Sequence, residues 1–221
     1  MVSGGRRFFT VLLIIVMAIA LTLVGYLAYR YLSDYILQKE ASEAVDEFEN
    51  MIITVAIDEE ETNTVEVNNT STIPETPSTT GSTQKKSRVT YKSFNVIGTI
   101  QIPRTGVKYP IVSDTTPAAM DSAIVMLYGP GLNQVGNTVI AGHNYRNGGF
   151  FGGNKKLSEG DKIFITDLSG TKIEYTVYRK YETSDADFSY ATRNTDGKRE
   201  ISLSTCTNNS EKRLIIWAKE S

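Results

Sequence analysis

The sequence contains a single cysteine, Cys206, a single histidine, His143, and a single tryptophan, Trp217. One cysteine excludes an internal disulfide, and one cysteine with one histidine cannot build a Cys/His zinc cage, which takes about four ligands. Basic residues are not in excess either: 23 Lys and Arg stand against 25 Asp and Glu, for a formal net charge of −2. That balance lacks the electrostatic footprint of nucleic-acid binding, so no DNA or RNA partner is expected. Asp185 and Asp187 offer hard oxygen ligands that would suit calcium, but two carboxylates in a loop read more simply as solvated side chains, and no cofactor is expected.

What is present is unevenly distributed. Residues 8–29 are uncharged and almost wholly apolar. About 22 residues at 1.5 Å each make a helix of about 33 Å, enough to cross a bilayer. The apolar run continues into Leu-Ala-Tyr-Arg-Tyr without a small-residue cleavage site, so it reads as an uncleaved anchor. Arg6 and Arg7 before it place residues 1–7 in the cytoplasm and the bulk of the chain outside, although Arg30 on the other flank weakens the asymmetry. Residues 30–57 read as a solvated, helical juxtamembrane stalk, and residues 58–92, rich in Thr, Ser, Asn and Pro, as a disordered polar linker.

Residues 93–221 form the candidate catalytic domain. The chain's 12 Tyr and 17 Gly, with many short Val/Ile/Thr runs, favour strands and turns there. Strand-like runs are predicted at 96–102, 108–112, 138–143, 162–166, 172–179, 198–204 and 213–218, with helical turns at 117–127 and 150–157. The spacing is that of a small barrel or sandwich.

Three side chains stand out for chemistry. In the strand ending Ile201-Ser202-Leu203-Ser204-Thr205-Cys206, alternation sends Ile201 and Leu203 to the core and Ser202, Ser204 and Cys206 to the outer face. A structural cysteine belongs on the apolar face, and a free thiol outside the cell is an oxidation liability, so its retention points to use. His143 stands where an apolar run, Thr138 to Ala141, becomes a Gly-rich loop, a common setting for catalytic groups, although a lone histidine is also often structural. Arg213 opens the last strand, with six residues between it and Cys206. If the two strands form a hairpin, Cys206 and Arg213 face each other about 5 Å apart at its mouth, with Lys212 on the opposite face. The three roles suit acyl transfer: a thiol nucleophile, an imidazole to move the proton, and a cation to stabilise an oxyanion.

The motifs Leu203-Ser204-Thr205-Cys206-Thr207, Arg213 leading a last apolar strand, and Gly136-Asn137-Thr138-Val139-Ile140-Ala141-Gly142-His143-Asn144 resemble those of the sortase family of Gram-positive surface transpeptidases. The resemblance covers residues 94–221, and the anchor and linker fit the same family. It implies a mainly β, eight-stranded sortase-type barrel with short helices. It also implies that Cys206 attacks a Thr-Gly bond in the C-terminal sorting signal of a secreted protein. A thioester would follow, released by an amine from a cell-wall precursor or a pilin lysine. His143 would serve as general acid and base and Arg213 as the group steadying substrate and oxyanion, with Thr205, Thr207 and Asn144 touching substrate. The groove would take in residues 182–195.

The Leu-Ser-Thr-Cys-Thr wording is like class B, yet the stretch between Tyr181 and Cys206 is too short for that class's long helix. A class C membrane helix at the C-terminus and an upstream lid with an Asp-Pro-aromatic motif are not seen in the sequence, so an A- or D-like form is preferred. Two rivals stand beside this reading: an anchored cysteine peptidase that only hydrolyses, and an anchored binding module in which Cys206 is incidental.

Overall fold

The computed structural model describes residues 3–62, 88–145, 148–207 and 211–221, with helix side chains described for 8–54. The linker expected over 58–92 therefore lies mostly outside the described residues. Its two ends do not: helix α1 runs Ser3–Thr62, and a short strand, β1, occupies Thr90–Tyr91.

The chain divides into two units, residues 1–40 and 41–221. The first is helical throughout its described length, and its apolar side chains are exposed, among them Phe9, Leu13, Leu21 and Leu27. By length and composition this helix suits a bilayer crossing.

The second unit is built on strands β2 (Phe94–Ile102), β3 (Val107–Val112), β4 (Ile124–Tyr128), β5 (Gly136–Ala141), β6 (Lys162–Asp167), β7 (Lys172–Ser184), β8 (Arg199–Cys206) and β9 (Lys212–Glu220). They pair in the order β2-β3-β4-β5-β8-β9-β7-β6, and β6 returns to β2, so the eight-stranded sheet closes into a barrel; β1 adds a hairpin strand outside that ring. Pairing is antiparallel except at β3–β4 and β5–β8, which are parallel. Helix α2 (Pro117–Ser122) sits in the β3–β4 crossover. Gly98 marks a bulge in β2, where a Cβ would lie 2.4 Å from the Leu132 side chain and 2.5 Å from the Thr166 carbonyl oxygen.

Several local expectations change. The helical turn foreseen at 117–127 ends at Ser122, and the Ile-Val-Met-Leu run that follows is β4. Strand β5 stops at Ala141, leaving His143 beyond it, while β7 runs on to Ser184. The 150–157 stretch holds one 3₁₀ turn, Asn154–Lys156. Residues 185–198, between β7 and β8, contain no helix.

The stalk is also more than a solvated helix. Ala41, Ala44, Val45 and Phe48 are buried, and Ala41, Ala44 and Phe48 belong to the same core as Ile100, Ile111 and Ile165, with Met51 and Ile52 packed against it. Their spacing at i, i+3, i+4 and i+7 puts them on one helix face. Asp46 pairs with Lys108 of β3 at 2.9 Å. Because Val89 and Tyr91 join this core too, the folded unit begins well before residue 93. Phe48 is fully buried, so Phe48→Ala should destabilise the unit by about 3 kcal/mol, lowering its melting temperature by roughly 10 °C. Thermal unfolding of the detergent-solubilised full chain checks this; an unchanged melting point would mean that the helix face contributes no packing energy.

Candidate active site

Cys206 is the last residue of β8, and the antiparallel β8–β9 pairing sets it directly opposite Arg213. The hairpin foreseen from spacing is therefore present, and its side chains meet: Arg213 Nη1 lies 3.7 Å from Cys206 Sγ. Among the described residues, Arg213 Nε is buried without a hydrogen-bond partner. Lys212, one residue earlier, pairs in register with Ser184 and reaches toward Glu182 at 3.8 Å.

The parallel β5–β8 pairing brings up His143. Ala141 stands opposite Ser204. The pairing continues past the end of β5, because the Gly142 N–H donates to the Ser204 carbonyl (3.2 Å) and the Thr205 hydroxyl donates to the Gly142 carbonyl (2.7 Å). No ladder pairing carries His143 itself, but these two bonds leave it at the same end of the sheet as Cys206. The His143 ring is engaged elsewhere: its Nε2 lies 3.0 Å from Asp121 Oδ1, on α2.

The loop after His143 is tightly folded. Phe150 has φ +48°, a left-handed conformation uncommon outside glycine, and it is held by contacts with Tyr109 and Tyr145 at 5.2 and 5.4 Å between ring centres. Phe151 N–H donates to the His143 carbonyl (3.0 Å), closing the loop on itself. Gly152 is needed by close approach: a Cβ there would lie 2.2 Å from the Tyr145 carbonyl oxygen. Tyr145 stacks at 5.3 Å from the His143 ring and donates its hydroxyl to the Asp121 carbonyl (3.0 Å). Burial, and next the Asp121 charge, push the Tyr145 hydroxyl's pKa up, so it holds its proton.

A cleft of about 270 Å³ opens at Cys206, lined also by Asn144, Phe151, Lys180, Glu182, Thr207 and Leu214. Lys180 donates to the Lys155 and Leu157 carbonyls at 3.1 and 2.5 Å, pinning the 3₁₀ turn that forms one wall. Of the residues expected to touch substrate, Asn144 and Thr207 line this cleft. Thr205 also borders it, but its side chain is buried and its hydroxyl is committed to Gly142.

Ser202 and Ser204 overturn the expectation of an exposed outer face. Both are buried, because the β7–β8 connection folds back over β5, β8 and β9 with Tyr190, Ala191, Val139 and Ile215 forming a second small core. A polar network fastens it there. Asn137 donates to the Tyr190 and Ala191 carbonyls and accepts from Arg193 and the Ser202 hydroxyl. Arg193 pairs with Glu200, with their side chains 11% and 10% exposed, and its guanidinium lies 4.5 Å from the centre of the Trp217 ring. Tyr178 donates to Glu200 (2.6 Å), and its own hydroxyl pKa is pushed up by burial first and by that carboxylate second. The groove expected over 182–195 is thus half cleft wall, at Glu182, and half buried brace. Asp187 holds its carboxyl below the usual range by accepting from the Thr183 hydroxyl and the Ser189 N–H, so its oxygens are already in use within the loop. Among the described residues no group of three or more His, Cys, Asp or Glu stands together.

Sequence reasoning missed Asp121. No spacing rule ties an aspartate on a six-residue helix to a histidine 22 positions later; the turn signal Thr116-Pro117 could locate α2, but not what its last turn touches.

A closed eight-stranded barrel with a thiol, a guanidinium and a histidine gathered at the ends of β8, β9 and β5 defines a class of protein that the comparisons identify. The model of the sortase domain matches residues 100–221. The chain belongs to the sortase family. Sortase A of Listeria monocytogenes is 29% identical over 122 residues, 55% of this chain and 54% of the relative, so the chain matches only about half of that protein's length. A solved pilus-related sortase C of Group B Streptococcus is 27% identical, with TM-score 0.52, covering 57% of this chain and 67% of that one. A Clostridium perfringens sortase D5 transpeptidase, 24% identical, shares the fold over 83% of this chain and 99% of its own, with TM-score 0.59.

Proposed function

We propose that this chain is a membrane-anchored cysteine transpeptidase that cuts a Thr-Gly-type bond in the C-terminal sorting signal of secreted proteins and passes the acyl group to an amine. The observation that carries the reading is the facing of Cys206 and Arg213 across the ends of β8 and β9, with Cys206 lining the cleft and His143 just beyond the end of the neighbouring strand β5.

In the first half-reaction Cys206 Sγ attacks the threonine carbonyl carbon. The new C–S bond creates an oxyanion, which the Arg213 guanidinium beside the sulfur stabilises. The C–N bond then breaks as His143 gives its proton to the leaving amine, and a thioester remains. In the second half an incoming amine attacks the thioester, His143 takes its proton, and the thiolate departs. Phe151 and Leu214 give the peptide an apolar wall, while Asn144 and Thr207 offer polar contacts. The amine comes from a cell-wall precursor or a pilin lysine; the pilus-related streptococcal relative supports the second source.

Helix α1 would anchor the enzyme, with Arg6 and Arg7 cytoplasmic and the barrel outside. The helix-free β7–β8 connection favours an A- or D-like form over a B-like one. No cofactor takes part in these steps, and of the carboxylates at 185 and 187, Asp187 already accepts from Thr183 and Ser189.

The test uses the full chain in detergent with a Leu-Pro-X-Thr-Gly-type peptide, with and without an added amine. An amide product that grows at the expense of hydrolysis supports transpeptidation; hydrolysis that no amine diverts leaves a peptidase. Arg213→Ala should lower kcat/KM about 100-fold, with partial recovery in Arg213→Lys, since an ammonium restores the charge but not the planar donor fork. Equal activity of all three proteins in the same assay would remove Arg213 from the mechanism.

A further inference from the structure

We infer that Asp121 is a positioning residue for His143, fixing which ring nitrogen exchanges protons at Cys206. The proposal rests on the cysteine transpeptidase reading above and adds a residue to it. His143 lies beyond the last residue of β5, so strand pairing does not set its ring orientation. The ring is held instead by a side chain, with Nε2 3.0 Å from Asp121 Oδ1. An ionised carboxylate only accepts, so the hydrogen in this bond sits on Nε2 in both the neutral and the protonated ring. Nδ1 is then the nitrogen that takes a proton from the thiol and returns it to the leaving amine. The carboxylate also sits beside the positive charge the ring acquires while it carries that proton.

Asp121 is itself held in place. It lies in the last turn of α2, which is fixed by the Thr116 cap and the buried Ala119, and its carbonyl accepts from the Tyr145 hydroxyl (3.0 Å). Tyr145 packs against the His143 ring at the same time, so histidine, aspartate and tyrosine form a closed circuit between α2 and the segment after β5. The Asp121 side chain is 74% exposed and that of His143 37%, so water competes for the bond in the free enzyme and the effect should be moderate. Asp121 touches no reacting atom.

The chain has one histidine, so ring-¹⁵N-histidine labelling of the full-length protein gives one set of ring signals. The expected spectrum shows a slowly exchanging, downfield Nε2–H proton, lost in Asp121→Ala and kept in Asp121→Asn, which retains an acceptor oxygen. With a sorting-signal peptide, Asp121→Ala should lower kcat about tenfold with KM within about twofold, and Asp121→Asn should recover part of the loss. Alkylation of Cys206 by iodoacetamide, which needs the thiolate and no peptide, should slow severalfold in Asp121→Ala. The proposal is overturned if the ring proton survives in Asp121→Ala, if KM rises while kcat holds, or if alkylation is unchanged. If the wild type turns over no peptide, the transpeptidase reading fails, and the ring proton and alkylation rate still decide the role of Asp121.

Discussion

Cys206→Ala is expected to abolish thioester formation and amide product, a loss of about 10⁴-fold or more. The chain offers no second thiol. Nucleophiles that act as part of a unit leave behind only the catalysis supplied by binding and oxyanion stabilisation when they are removed. Cys206 is half-buried at a strand end and its side chain is small, so alanine should leave the melting temperature within a couple of degrees. Peptide affinity should persist, because Phe151, Asn144 and Leu214 line the cleft independently of the sulfur. Product chromatography with a parallel binding measurement checks both halves. Amide product retained in a correctly folded Cys206→Ala protein would remove Cys206 as the nucleophile, and peptide binding without product in the wild type would favour the binding-module alternative.

His143→Ala should reduce kcat about 10³-fold, within the range for removal of a general acid and base. The two half-reactions need the same imidazole in opposite proton states, to protonate one amine and deprotonate another. No other histidine exists to take over. The ring is partly exposed and the following residue, Asn144, lines the open cleft, so free imidazole added at millimolar concentration should restore part of the rate in His143→Ala and none in Cys206→Ala. Single-turnover kinetics with and without imidazole measure this. A variant that keeps wild-type kcat would assign the proton transfers to another group.

The parts of this fold that could be read from sequence are those where side-chain alternation and burial coincide. Strands β2, β3, β6 and β9 were located to within a few residues because their apolar runs are bounded by turn residues. Strand β4 was hidden because Ile124-Val125-Met126-Leu127 follows a Thr-Pro helix start with no Gly or Pro between, and a short apolar run does not distinguish helix from strand. Ser202 and Ser204 are buried against the strand alternation because a loop held by Asn137, Arg193 and Glu200 covers the face that a period of two assigns to water. Polar residues on a strand mark solvent only when nothing polar is available to satisfy them in the interior.

The packing face at Ala41, Ala44, Val45 and Phe48 did carry a sequence signal, a 3.6-residue period. The acidic residues Glu40, Glu43, Glu47 and Glu49 around it favoured a solvated stalk. At the site, pairing of Cys206 with Arg213 followed from hairpin spacing alone. The approach of His143 depended on a parallel β5–β8 pairing between residues more than 60 positions apart, and the bond to Asp121 on a crossover helix; neither leaves a mark in local sequence.

The most direct measurement of the central claim is intact-mass analysis of the full-length protein mixed with a sorting-signal peptide, without amine, and quenched in acid. One added acyl fragment, ending in the threonine of the cleaved bond, is expected on the proteolytic peptide containing Cys206. The adduct should be released by hydroxylamine and be missing from Cys206→Ala. Cleaved product from Cys206→Ala at the wild-type rate, or an adduct carried by any other residue, would contradict it.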